Sequence, residues 1–130
     1  MHQVLIVSSD VQRLTDFAEV FSSSGFDVVW EELGADALQR VQQVRPLLVI
    51  LDEYLEDMTA WEAIQRLLSI DATMNTAVVS RLDPEKFHSV SEGLGVMAHI
   101  PFCPTKLSAM EVIEARHLII RLPFLNPTRA

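Results

Sequence analysis

Asp52 is the residue of this chain best placed for chemistry, because its carboxylate ends a continuous apolar run at residues 47–51. Such a run is typical of a strand buried on both faces of a parallel sheet. Ligands and reacting groups gather where the strands of such sheets end on their carboxyl side. We therefore expect Asp52 to lie at a functional site. The alternative is an ordinary strand-end aspartate that caps the next loop.

Polar residues also end two other predicted strands. A short apolar run at residues 4–7 stops at Ser8, Ser9 and Asp10, and a weaker strand at 76–80 ends in Ser80. A helical pattern follows Asp10, so its carboxylate is expected to cap that helix. These hydroxyls and carboxylates would meet Asp52 at the carboxyl edge of the sheet.

The order of apolar patterns predicts five alternations of strand and helix. Parallel neighbouring strands need crossover helices, so the fold class is α/β, a doubly wound five-stranded parallel sheet with helices on both faces. The start of the last helix is open between Pro104 and the capping-box pattern at 108–111. The predicted strands lie near residues 4–7, 26–30, 47–52, 76–80 and 96–100. The first predicted helix follows Asp10 and closes near Gly25, the second covers about 36–44, and the last covers roughly 104–122. Between them, a third helix carries Ile64, Leu67 and Leu68, and a short fourth helix follows Pro84.

Composition limits the function classes. With 130 residues and 49% hydrophobic residues, we expect one domain over 1–122 and a tail or linker stub over 123–130, where prolines oppose a helix. A net charge of -8 argues against direct binding of nucleic acid. The single Cys103 excludes an internal disulfide. No apolar stretch suits a membrane span or a signal peptide, so a cytoplasmic protein without membrane contact is predicted.

The strand ends resemble a known family. The order Ser8-Ser9-Asp10, Asp52, Ser80 and Ile100-Pro101-Phe102 is similar to the receiver domain of two-component response regulators, the CheY-like (flavodoxin-like) fold, over about residues 3 to 122. The resemblance implies a role in signal transduction through protein partners. It places Asp52 at the phosphoacceptor position, Ser80 at the Thr or Ser position and Met97 at the switch position.

The same comparison shows where the pocket departs from the family. Ser8 and Ser9 stand where the family has two acids that help to hold Mg²⁺, a cation that prefers carboxylate oxygens. Ile100 replaces the family's lysine, so Asp52 has no matched cation in the sequence. His99 should point to the opposite face of the strand and cannot replace that lysine. Only Asp10, one residue after the pair, could restore a metal ligand.

Three hypotheses about function follow. The first is a degenerate receiver, a protein-interaction module that is not an enzyme, needs no cofactor and works without phosphorylation. The second is a working phosphoreceiver that accepts a phosphoryl group on Asp52 and binds Mg²⁺ with unusual ligands. The third is a flavodoxin-like domain that binds a phosphate-bearing cofactor such as a flavin, with Ser8 and Ser9 as phosphate-binding hydroxyls.

The final helix predicts a contact surface. Its apolar residues spread around more than one face, whereas a helix that covers a sheet needs a single stripe. We therefore expect a homodimer or a contact with a neighbouring domain. The alternative is that this helix covers more of the core than usual. The predicted interface residues are Leu118, Ile119, Ile120 and Leu122.

Overall fold

The computed structural model describes the backbone of residues 2–125 and the side chains of residues 2–115. Strands and helices alternate five times, as predicted, and the predicted strand boundaries lie within one residue of the observed ones. The strands are β1 (Gln3–Val7), β2 (Asp27–Glu31), β3 (Leu48–Asp52), β4 (Thr76–Ser80) and β5 (Val96–Pro101). The helices are α1 (Val11–Ser23), α2 (Gly34–Gln43), α3 (Ala60–Ile70), α4 (Pro84–Ser91) and α5 (Lys106–Leu125).

The five strands form one parallel sheet in the order β2-β1-β3-β4-β5. This is the order of the flavodoxin-like doubly wound fold, and it confirms the predicted fold class. β3 lies in the centre, and all five of its residues are buried. The central position explains the continuous apolar run, because helices cover both faces of this strand.

Apolar side chains form one core layer on each face of the sheet. On the first face, α1 and α5 pack against the strands, with Leu14, Phe17 and Phe21 among the fully buried side chains. On the second face, α2, α3 and α4 cover the sheet. The two layers hold the carboxyl ends of β1, β3 and β4 at one edge, where Asp52 lies.

Helix ends follow local sequence signals. The Asp10 carboxylate accepts a hydrogen bond from the Arg13 backbone N–H and caps α1, as predicted. Gly25, just after α1, has a φ of +97°, a conformation that glycine adopts without steric strain. Thr59 and Glu62 form a capping box at α3.

The last helix departs from the prediction at both ends. It begins at Lys106, after a reciprocal pair in which Ser108 N–H donates to the Thr105 hydroxyl and Thr105 N–H donates to the Ser108 hydroxyl. The observed start lies between the two predicted ones, two residues after Pro104. The helix continues through Pro123 to Leu125, past the predicted end at Leu122. A proline removes only one backbone donor, and the helical backbone extends two residues beyond it.

The predicted interface falls in this last segment. Leu118, Ile119, Ile120 and Leu122 belong to α5, but their side chains lie outside the described residues. The interface and the division between 1–122 and 123–130 therefore stay predictions. Over the described part of the chain, no helix is both long enough and apolar enough to cross a membrane.

Candidate functional site

A cleft of about 230 Å³ opens at the carboxyl edge of the sheet beside Asp52. Asp52 is only 7% exposed and ends β3, as its position after the apolar run predicted. Loops after β1, β3, β4 and β5 form the walls. The lining includes Ser9, Asp10, Arg13, Asp52, Glu53, Tyr54, Ser80, Arg81 and Phe102.

The Asp52 carboxylate already has two partners within the chain. Its Oδ2 accepts a hydrogen bond from the buried Ser8 hydroxyl. The same oxygen forms an ion pair with the Arg13 guanidinium, with 2.6 Å between Arg13 Nη2 and Asp52 Oδ2. The expectation that Asp52 has no matched cation is therefore wrong. The cation comes from α1 and not from the position of Ile100.

Arg13 is the functional residue that the sequence reasoning missed. Its side chain is 12% exposed, and its Nε donates to Asp10 Oδ2 at 3.1 Å. Its Nη1 donates to the backbone carbonyl of Phe102. Burial alone would lower the pKa of Arg13, but the hydrogen bond and charge of Asp52, and then those of Asp10, raise it above its usual value. The signal in the sequence was the spacing of Asp10 and Arg13, which places the arginine one helical turn after the acid that caps α1.

A second arginine lies close by. The guanidinium carbons of Arg13 and Arg81 lie 3.9 Å and 3.8 Å from the centroid of the Phe102 ring. Each contact is a cation–π interaction. Phe102 therefore holds both arginines at the mouth of the cleft.

The two serines at the end of β1 take different positions. Ser8 is 2% exposed, and its hydroxyl accepts from the Asp10 backbone N–H at 2.9 Å while donating to Asp52. Ser9 is exposed on the wall of the cleft. Ile100 is 1% exposed and belongs to the apolar core on the α1 and α5 face. It adds no polar group to the site.

Ser80 is close to the site, but its hydroxyl binds a different acid. Ser80 Oγ donates to Glu53 Oε1 at 2.8 Å, and Glu53 Oε2 accepts from Trp61 Nε1 at 3.4 Å. Glu53 is 7% exposed, and the sequence reasoning missed it. Its signal was weak, because an acid after a strand-end acid usually faces solvent.

His99 and Met97 are not among the residues that line the cleft beside Asp52. The His99 ring stacks on Phe87 of α4 at 3.9 Å, and its Nε2 donates to the Ser80 carbonyl at 3.2 Å. The prediction that His99 does not replace the missing lysine agrees with these contacts. Met97 is the extra residue where the register between β4 and β5 shifts, and it packs on the α1 and α5 core. Its switch role stays a prediction.

These residues do not fit the Mg²⁺ site that the receiver fold implies. Ser8 uses its hydroxyl as a donor to Asp52, and Ser9 is a neutral group. Of the carboxylates that line the cleft, Asp10 and Asp52 both contact the guanidinium of Arg13. Glu53 accepts from Ser80 and Trp61 instead. Nowhere in the described residues do three or more His, Cys, Asp or Glu side chains form a group that could hold a metal ion.

The chain is similar to a curated protein over almost its whole length. No family model matches the chain. The chain is 26% identical over 129 residues to protein-glutamate methylesterase/protein-glutamine glutaminase 3 of Paramagnetospirillum magneticum, and this match covers 97% of the chain but 36% of that protein. The chain thus spans about a third of the curated relative that it matches.

Solved structures of low sequence identity show the fold of the chain. The receiver domain of a putative LuxO repressor protein from Vibrio parahaemolyticus superposes with a TM-score of 0.82, at 16% identity and 98% coverage of both chains. The chemotaxis response regulator CheY4 of Vibrio cholerae gives a TM-score of 0.79 at 16% identity, covering 89% of this chain and 98% of that one. The chain therefore has the fold of CheY-like response-regulator receiver domains, and the predicted resemblance is confirmed.

Proposed function

We propose that this chain is a degenerate receiver module of two-component signalling, which acts through protein contacts without phosphorylation of Asp52. The fold supports the signalling class. The departures from the family pattern around Asp52 support the absence of phosphorylation. In this function the chain binds a partner protein or a neighbouring domain and catalyses no reaction of its own.

One observation carries the proposal: Asp52 Oδ2 is bonded to both the Ser8 hydroxyl and the Arg13 guanidinium. Phosphoryl transfer depends on cations that neutralise the charge developing on the transferred group. Here the nearest guanidinium is already paired with Asp52 and Asp10, and an apolar Ile100 replaces the family's lysine. The pocket therefore satisfies its carboxylate and offers little help to an incoming phosphoryl group.

Treatment with acetyl phosphate and Mg²⁺, followed by intact-mass spectrometry, tests the proposal. We expect no phosphoryl adduct on this chain, while a receiver that keeps both acids and the lysine is modified in the same experiment. Asp52→Asn serves as the matched variant. An adduct on the parent chain that is lost in Asp52→Asn would contradict the proposal and favour the phosphoreceiver hypothesis.

The phosphoreceiver hypothesis has one observation in its favour. Asp10 lies near enough to Asp52 for both carboxylates to contact the same guanidinium, so a rearranged pocket would have two acids. In the observed arrangement, however, Asp10 is the cap of α1 and is 52% exposed. Its contacts are those of a helix cap and an ion pair.

The cofactor hypothesis gains no comparable observation. The cleft measures about 230 Å³, below the range of roughly 300 to 1,000 Å³ that is usual for small-molecule sites. Ser8, one of the two proposed phosphate ligands, is buried against Asp52. An absorption spectrum of the purified protein tests this hypothesis, because a bound flavin absorbs visible light.

We place this activity in the cytoplasm, with a protein as partner and without direct contact to nucleic acid or membrane. The support comes from the sequence. One cysteine gives no internal disulfide, and a net charge of -8 opposes binding to phosphate backbones. Coprecipitation with partners from the cytoplasmic fraction, compared between the parent and Asp52→Asn, would show whether binding depends on this carboxylate.

A further inference from the structure

The Arg13 guanidinium is surrounded by oxygen atoms from three different parts of the chain. The Asp10 carboxylate comes from the loop between β1 and α1, the Asp52 carboxylate from the end of β3, and the Phe102 carbonyl from the loop between β5 and α5. Carboxylate and carbonyl oxygens are the ligands that hard divalent cations prefer. In this chain, a side chain of the protein itself, Arg13, occupies a site of this oxygen-rich kind.

Arg13 cancels one of the two negative charges at this site without any added ion. Arg13 contributes one positive charge beside two carboxylates, and its side chain is 12% exposed. A guanidinium is charged at every pH at which proteins fold, and it offers several N–H donors in a fixed plane. Unlike a metal ion, it is covalently part of the chain.

We propose that Arg13 is the resident cation of the Asp52 pocket, a positioning residue that takes the place of a divalent metal. It ties α1, β3 and the loop after β5 together, so the pocket keeps one arrangement without a metal and without phosphorylation. This inference rests on the proposed function and gives a structural reason why the pocket works without a metal and without phosphorylation. It also explains how the fold tolerates Ser8 and Ser9, because Arg13 neutralises the acid that remains at β3.

The proposal makes a specific prediction about metal binding. Replacing Arg13 by alanine leaves Asp10, Asp52 and the Phe102 carbonyl around the space that the guanidinium filled. A dication would no longer be repelled by a positive charge a few ångströms away, so we expect apparent Mg²⁺ affinity to rise by at least about tenfold. The parent should show no saturation in the low millimolar range.

Amide NMR during a Mg²⁺ titration measures this effect through the signals of residues 8–10, 52–54 and 102. Arg81→Ala is the matched control, because Arg81 contacts the same Phe102 ring and its guanidinium contacts no carboxylate among the described ion pairs. We expect Arg81→Ala to behave like the parent. The double variant Arg13→Ala with Asp52→Asn should lose the binding that Arg13→Ala gains.

Two results would overturn the proposal. One is saturation of the parent by Mg²⁺ below a few millimolar with shifts confined to those loops. The other is a folded Arg13→Ala variant with unchanged Mg²⁺ affinity. If Arg13→Ala does not fold, Arg13→Gln keeps most of the packing and is titrated in its place, with the same two outcomes. Failure here is separate from failure of the proposed function, which the acetyl phosphate experiment reports.

Discussion

Two buried carboxylates, Asp52 and Glu53, lie at this pocket. Asp52 is paired with an arginine, whereas the hydrogen-bond partners of Glu53 are neutral side chains. Its carboxylate accepts from Ser80 Oγ and from Trp61 Nε1 and is 7% exposed. A buried donor that loses its acceptor costs roughly 1 to 3 kcal/mol. The contacts of Glu53 therefore matter for stability even though it forms no ion pair among the described residues.

We predict that Glu53→Ala lowers the free energy of unfolding by about 1 to 3 kcal/mol, because Ser80 and Trp61 lose their acceptor. Glu53→Gln keeps one acceptor oxygen and should lose less. Urea denaturation followed by tryptophan fluorescence measures both variants. Glu56→Ala, at an exposed position three residues along, is the control and should change stability little. Equal effects at 53 and 56 would show that the buried contacts contribute nothing.

At the scale of the elements, the start of α2 is capped by Asp57, a residue that lies outside this helix. α2 has Leu33 at its N-cap position, and that side chain makes no capping hydrogen bond. Instead Asp57, in the loop before α3, accepts from the Gly34 and Ala35 backbone N–H groups at 2.9 Å each. The loop after Asp52 is thereby attached to the start of α2.

This contact predicts a pH dependence. Burial alone would raise the pKa of Asp57, but the hydrogen bonds from Ala35 and Gly34 outweigh it and lower the pKa below its usual 3.8. A carboxylate with a lowered folded pKa stabilises the fold above its unfolded pKa, and this stabilisation is lost as the pH falls through the folded value.

Asp57→Asn removes the charge and leaves one acceptor oxygen for the two N–H groups, so we expect it to reduce stability at neutral pH by less than the roughly 1 kcal/mol that loss of a whole cap costs. The difference from the parent should shrink as the pH falls below 4. Thermal unfolding by circular dichroism over this pH range measures it, with Asp27→Asn, at an exposed position in β2, as the control. A difference that stays constant down to the lowest pH would exclude the carboxylate as its source.

At the scale of the whole molecule, the surface of α5 bears on association. Its described part already exposes two large apolar side chains, Leu107 at 62% and Met110 at 56%. A contiguous exposed apolar patch marks a contact with another protein or domain, and these two residues, three apart, lie on one face of the helix. This observation is compatible with the interface predicted further along the same helix.

We predict that the chain forms a homodimer through α5, since a closed pair is the commonest solution for a single patch. Ile119→Glu and Ile120→Glu are tested separately, and the one at an outward position should weaken association by orders of magnitude. Each fully buried apolar side chain contributes roughly 1.5 to 3 kcal/mol, which supports that expectation. Light scattering over a concentration series gives the mass. A parent that stays monomeric at high micromolar concentration would place the partner surface elsewhere.

The sequence by itself determined the alternation of strands and helices, the parallel sheet and the position of Asp52 at its edge. These follow from patterns within short windows, because apolar runs and helical spacings depend on near neighbours in the chain. The same local reasoning identified Asp10 as a helix cap. The resemblance to receiver domains, and not a local pattern, indicated that Ser8, Ser9 and Ile100 depart from the metal-binding pocket of that family.

Only the tertiary structure decided which side chains meet at the site. Arg13 and Asp52 are 39 residues apart, and Ser80 and Glu53 are 27 apart, so no local pattern links either pair. Arginine and glutamate are usually exposed, and composition alone predicts solvated side chains for both. Here the packing of α1 and of the loops at the edge of the sheet brings them next to partners that compensate for their burial. The physical reason is that a charged side chain can be buried at low free-energy cost only where oppositely charged or hydrogen-bonding groups surround it. Those groups come from distant parts of the chain and meet only in the folded structure.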